Sequence, residues 1–263
     1  MSTLPVLNNA DMYHHYSDVQ FRDGCSVIHE MLKPKRGESI LDLGCGTGRL
    51  TMQLASLVGD SGRVVGVDPD SCRIAVANEQ LKKMDDIPVT FQLGSIREAL
   101  PLGPFDGIFS NYVFHWFERA ERAEMMHQMY DSLKPGGRLT FVLETNQPQP
   151  NAIIRDIFRL TEPNLDEESA SGMKMDVPSV WLQHCSDVGF VVELSEVFRT
   201  EKAGPNLDVI LQFLKASIPN FQPIKLTDDG LHELDNRYKT GNGDQVAFSL
   251  TVLKVLARKP QES

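Results

Sequence analysis

The stretch Ile40-Leu41-Asp42-Leu43-Gly44-Cys45-Gly46-Thr47-Gly48-Arg49-Leu50 constrains this chain more than any other. A short apolar run ends in an acid, and three glycines follow at alternate positions, just before an amphipathic segment. Glycine tolerates positive φ and lets a ligand approach the backbone. In an open parallel sheet, a strand handing over to a helix in this way marks the end where ligands bind. The turn is therefore a candidate nucleotide site, and its spacing decides which kind. The dinucleotide fingerprint is GxGxxG and the phosphate P-loop ends in Gly-Lys-Ser/Thr. This turn reads GxGxG and carries no phosphate grip.

The segments around it alternate between strand and helix signals. Strands are expected at Ser39–Leu43, Arg63–Val67, Val89–Leu93, Phe105–Ser110 and Arg138–Leu143. Helices are expected at Asp23–Leu32, Arg49–Val58, Ser71–Met84 and Glu118–Leu133, with Asp70 or Ser71 as an N-cap. The strands are apolar throughout, as strands covered on both faces are. Parallel βαβ units follow, and with them a doubly wound, mainly parallel α/β sheet.

Beyond Glu144 the pattern loosens. Helices are expected at Ala152–Leu160, Ser179–Val188, Leu207–Ser217 and Thr227–Tyr238, with strands at Phe190–Phe198 and from Ala247 to about Leu256. The reading is one domain over residues 1–263. Its core covers about 23–144 and 179–263, and a helical cap is made of insertions at 1–22, 145–178 and 203–243.

Composition narrows the partners. A formal net charge of −10 in 263 residues opposes non-specific nucleic-acid binding, which needs a basic face. No run approaches the roughly 18 apolar residues of a membrane helix. Cys25, Cys45, Cys72 and Cys185 are scattered without a CxxC pair, which suits free thiols in a reducing, cytoplasmic setting and provides no metal site. Oligomeric state is not encoded legibly.

A second acid refines the turn. Asp68 closes the next expected strand, where a carboxylate can accept from both hydroxyls of a ribose. The combination LDLGCGTG, GVDPD, FDGIFSNYVFHW and LKPGGRL resembles the class I S-adenosylmethionine-dependent methyltransferases, over about Glu38 to Leu143. That resemblance implies a seven-stranded Rossmann-like fold and S-adenosylmethionine as cofactor. It implies that Asp42, Gly44, Gly46 and Gly48 line the methionine and ribose part and that Asp68 holds the ribose. Pro69, Ser95 and Ile96 would lie by the adenine, and Asn111 would border the transfer site.

The acceptor would be a small molecule. Gln20 with the pair His115-Trp116 is similar to the juvenile hormone acid and trans-aconitate methyltransferase group. That likeness implies methylation of a carboxylate oxygen. Gln20 and Trp116 would orient the acid, and His115 would orient the substrate or serve as a base. The N-terminal segment, with Tyr13, His14, Tyr16 and Arg22, would fold over the site. An amine or carbon acceptor, or a cofactor-binding protein without catalysis, are the alternatives. SNYVF lacks the prolines of a base-flipping tetrad, which argues against nucleic-acid methylation.

Overall fold

A computed structural model describes residues 10, 13–14, 17–84, 86–99, 102–145, 152–161, 164, 167–218, 226–240 and 245–261. Tyr16 and parts of the expected cap lie outside these residues. Seven strands form one sheet: β1 (Ser39–Leu43), β2 (Arg63–Asp68), β3 (Val89–Leu93), β4 (Phe105–Asn111), β5 (Leu133–Glu144), β6 (Val191–Gly204) and β7 (Val246–Arg258). Their order is β3-β2-β1-β4-β5-β7-β6. The first five run parallel, and β7 pairs antiparallel with both β5 and β6. The expected doubly wound, seven-stranded α/β sheet is thus the one observed.

Strand order reverses between β1 and β4. Chain connections leave in opposite directions there, and a crevice opens beyond the carboxyl ends of those strands. The sheet's two faces bury separate clusters. Ile40, Phe109 and Val142 contribute to one, and Leu41, Ile108 and Phe141 to the other. Alternation along each strand sends successive side chains to opposite faces, so the central strands β1 and β4 are largely buried on both faces, whereas the edge strand β6 is mostly exposed.

Helices begin where polar side chains can take up their free N–H groups. Asp70 accepts from the N–H groups of Cys72 and Arg73 at 2.8 and 3.2 Å, and so starts Ser71–Leu81. Asn206 caps Leu207–Ser217 in the same way, and Thr227 caps Asp228–Tyr238. The described residues of the expected cap share the core of the sheet. Ile153, Leu207, Phe213 and Leu234 bury themselves in the same cluster as Ile40 and Phe109.

Several expected boundaries shift. The helix expected from Asp23 starts at Asp18, and it closes with a π-helical turn over Ile28–Leu32. Its added turn carries the buried Gln20. The helix expected from Glu118 begins at Arg122 after a short 3-10 turn, Arg119–Glu121. There the buried Arg122 is held by Asp176 and the carbonyl of Lys174. Strand β6 extends to Gly204, so Ala203 and Gly204 belong to the sheet and not to an insertion. No helix among the described residues is long and apolar enough to cross a membrane.

Candidate functional site

Beyond β1 the chain turns through Gly44, Gly46 and Gly48 at φ +73°, +56° and +81°. Space is as restrictive as conformation at two of these. A Cβ on Gly44 would fall 2.2 Å from Val113 Cγ2, and one on Gly48 would fall 2.4 Å from the Phe91 ring. Gly48 then leads into the helix Arg49–Val58. The turn is tied to the neighbouring strand, since Gly44 and Cys45 both donate to the Val67 carbonyl, at 2.8 and 3.0 Å.

Asp68, at the end of β2, completes the tie. One carboxylate oxygen accepts from the Gly46 N–H at 2.9 Å and the other from the Asp70 N–H at 2.9 Å. A carboxylate offers about four lone-pair positions, so each oxygen keeps one for a further donor. Burial pushes its carboxyl above the ordinary range, although Arg73 and the two backbone donors oppose the shift.

Asp42 lies under the turn and is also buried. It accepts from the Thr51 hydroxyl at 2.6 Å. Burial raises its pKa to about 7, with the Thr51 bond pulling the other way.

Tyr13 and His14 lie over this region. The Tyr13 ring packs on Gly46 from above, and the Arg73 guanidinium stacks on that ring at 4.3 Å. His14 Nδ1 lies 2.9 Å from the Thr47 hydroxyl.

Two cavities meet here. The first, with about 290 Å³ of empty space, is bordered by Cys45, Thr47, Arg49 and Asn111. The second, with about 480 Å³, is bordered by Tyr112, His115, Trp116, Glu144, Lys202 and Phe213. Tyr13 and Gln20 line both and so form the wall between them. Asn111 Oδ1 and Gln20 Oε1 are buried at this junction and have no hydrogen-bond partner among the described residues. The Asn111 amide is aligned by donating to the Gln20 carbonyl at 2.9 Å.

The expected site residues therefore divide. Gly44, Gly46, Gly48, Asp42 and Asp68 assemble around one turn, and Asn111 faces the first cavity. Gln20, His115 and Trp116 share the second. Pro69 and Ser95 are exposed, and neither they nor Ile96 line either of these two cavities. Ser95 donates both its N–H and its hydroxyl to Glu98, at 2.6 and 3.0 Å. Glu98 thus brings a carboxylate beside Gly94 and Ser95.

His115 is 2% exposed. Its Nδ1 accepts from the Glu144 N–H at 3.3 Å, which places the ring proton on Nε2. Burial, reinforced by the charges of Lys202 and Arg122, lowers its pKa to about 3. A histidine held neutral in this way is a donor and a poor base near neutral pH. Trp116 lies beside it, with ring centroids 5.0 Å apart.

Three groups in this second cavity escaped the sequence reading. Tyr112 follows β4 at φ +60°, a conformation rare for a non-glycine residue, and donates its hydroxyl to Asp23 at 2.7 Å. Glu144 ends β5. Lys202 reaches in from β6, 5% exposed. Burial lowers its pKa, whereas Glu144 and Asp23 favour its charged form. Thr200, Lys202 and Gly204 are buried at alternate positions of β6, but their residue types carry no apolar alternation that would have marked them in the sequence.

Comparison with known proteins fits this geometry. Residues 40–137 match the family described as a methyltransferase domain. Over 116 residues the chain is 36% identical to the ubiquinone/menaquinone biosynthesis C-methyltransferase UbiE of Enterobacter sp. (strain 638), covering 43% of this chain and 45% of that protein. Over 126 residues it is 37% identical to an arsenite methyltransferase of Aquipseudomonas alcaligenes, covering 45% of this chain and 35% of that one. The chain thus matches less than half the length of these curated relatives. Among solved structures, Haemonchus contortus phosphoethanolamine N-methyltransferase 2 in complex with S-adenosyl-L-methionine aligns at TM-score 0.58 and 18% identity, over 98% of this chain and 61% of that one. At that identity the likeness is one of fold: a Rossmann-like methyltransferase sheet.

Proposed function

We propose that the protein is an S-adenosylmethionine-dependent methyltransferase acting on a small molecule, with a carboxylate oxygen as the favoured acceptor. The observation that carries this reading is the pair of cavities meeting at Gln20 and Tyr13, one against the glycine turn and one lined by His115 and Trp116. The match of residues 40–137 to a methyltransferase domain supports it.

The residues present fit the cofactor. Asp68 has acceptor capacity left for ribose hydroxyls, and Asn111 Oδ1 and Gln20 Oε1, unpaired among the described residues, suit the donors of an amino-acid ammonium. Without a Cβ, Gly44 and Gly48 take their positive φ angles and pack directly against Val113 and Phe91, which holds the turn in shape. S-adenosylmethionine supplies an electrophilic methyl group when bound. The chain's own task is to align the acceptor and exclude water.

A carboxylate is ionised at neutral pH and needs no base. This agrees with a cavity whose histidine is held neutral with Nδ1 engaged. Trp116 and the Gln20 amide would orient the acid, and the His115 Nε2 proton adds a third donor. The likeness to the juvenile hormone acid and trans-aconitate methyltransferase group points the same way.

A carbon acceptor is the second reading, favoured by the identity to a C-methyltransferase. The family match, however, ends at residue 137 and leaves out Gln20, Glu144 and Lys202, which an acceptor would meet. Arsenite is disfavoured because the thiols do not cluster. Cys45 lies in the glycine turn, Cys185 is buried against Met126, and Cys25 bonds Gln53. Transfer of labelled methyl from S-adenosylmethionine to a panel of acids, amines and phenols tests the reading. Labelled methyl esters are expected, and label confined to amines or carbon would overturn the acceptor assignment.

A further inference from the structure

Lys202 is the most unusual group in the acceptor cavity. Its ammonium carries three donors, yet its side chain is almost wholly buried and Nζ lies over the Phe213 ring, 3.8 Å from its centroid. Tyr112 contributes a second ring at 5.8 Å. Among the described residues no hydrogen bond or ion pair engages Nζ. Buried donors of this kind are regularly satisfied in folded proteins, and each exception calls for an explanation.

The fold places this lysine deliberately far from solvent. β6 and β7 run on as a hairpin past the end of β5, with Lys202 opposite Phe248 and Glu144 opposite Val252. That overhang carries the lysine into a cavity whose remaining walls include Ile154, Phe213, Leu214, Phe248 and Leu250. The cavity therefore sets an apolar wall opposite a polar cluster in which Lys202 is an almost wholly buried cation. Charged and titratable groups around the cation are Glu144, Asp23, Tyr112, His115 and Arg73. Asp23 already accepts from Tyr112, and Arg73 donates to the Ala216 carbonyl while stacking on Tyr13. Glu144 and Asp23 favour the ammonium form by their charge.

We propose that Lys202 is the anchor for the acceptor's acid group, pairing with the carboxylate of a small molecule whose apolar body lies among Ile154, Phe213, Leu214 and Phe248. This rests on the methyltransferase reading for what happens next, but the binding itself does not need it. No proton passes between the two groups: the acid arrives ionised and pairs with the ammonium form of Lys202, which its negative charge favours against the effect of burial. Paired to Lys202, one carboxylate oxygen is fixed and the other is left to face the junction at Gln20. A carboxylate also brings the acceptor oxygens that the Lys202 donors lack in the protein itself.

Calorimetric titration of the full chain with decanoate and 4-phenylbutyrate tests this, with decylamine as the cationic control. Each titration is run with and without S-adenosylhomocysteine. The wild type is expected to bind at least one acid and to prefer it over decylamine. Lys202→Met is expected to weaken acid binding by about tenfold or more, the usual scale for truncating a buried charge pair. Lys202→Arg is expected to restore most of it, and S-adenosylhomocysteine affinity should stay within about twofold in both variants.

Equal acid binding by Lys202→Met would overturn the anchor. So would a wild type that binds neither acid, or one that prefers decylamine, which would assign the cavity to a cation held by Glu144 and Asp23. Absence of S-adenosylhomocysteine binding counts against the methyltransferase reading alone, because the acid titrations without it still decide Lys202.

Discussion

Gly46 donates its backbone N–H to the carboxylate of Asp68 at 2.9 Å, so the acid that ends β2 also fixes the glycine turn that follows β1. One side chain thereby serves two ends of the proposed cofactor site. Asp68→Asn should weaken S-adenosylhomocysteine binding by roughly tenfold or more, as expected when a buried acceptor is removed. Titration calorimetry with circular dichroism as a folding control would measure it. Unchanged affinity in a folded variant would remove Asp68 from the site.

Gly44→Ala should destabilise the protein. Its φ of +73° is one an alanine rarely adopts, and the new Cβ would strike Val113 at 2.2 Å. A loss of roughly 2–4 kcal/mol follows from combined backbone strain and overpacking. The urea midpoint reads it directly. A shift under about 0.5 kcal/mol, the range of neutral surface changes, would show that the turn yields easily.

Asp42 predicts a pH dependence. Its folded pKa of about 7 lies above the ordinary value of 3.8. From roughly pH 4 to 7 the folded state then binds a proton that the unfolded state has released, so stability falls as pH rises through that window. Asp42→Asn stays neutral throughout and can still accept from Thr51. The stability of the wild type relative to this variant should decline between pH 4.5 and 7.5. Parallel curves would mean that Asp42 is ionised in the folded protein across the range.

Trp116→Phe keeps an aromatic ring beside His115 and removes one donor from the acceptor cavity. Turnover of an accepted acid should fall by about tenfold, the scale of one hydrogen bond to a charged group, with cofactor affinity unchanged. Full turnover across accepted substrates would rule out a donor role for the indole.

The cofactor half of the molecule was legible because local rules govern it. Apolar runs, glycine spacing and the Asp70 cap each depend on a few neighbouring residues, and β1 to β4 appear where those signals place them. The acceptor half was less so. The helix Asp18–Val27 carries buried polar residues, Gln20 and Asp23, on the face that an apolar pattern would mark, so its first turn went unread. In β6 the run Thr200-Glu201-Lys202-Ala203-Gly204 has no apolar alternation, yet Thr200, Lys202 and Gly204 face inward. A lysine enters a core only where distant elements compensate it. Here these are Asp23 on the helix Asp18–Val27 and Glu144 on β5, and no local pattern relates residues so far apart.

Thermal unfolding with and without S-adenosylhomocysteine tests the central claim most directly. A ligand that binds only the folded state stabilises it by about 2.7 kcal/mol at a hundredfold excess over Kd. For a chain of this size that corresponds to a rise in Tm of roughly 5 °C or more. The account predicts such a rise, reduced in Asp68→Asn. An unchanged Tm at millimolar S-adenosylhomocysteine would contradict it.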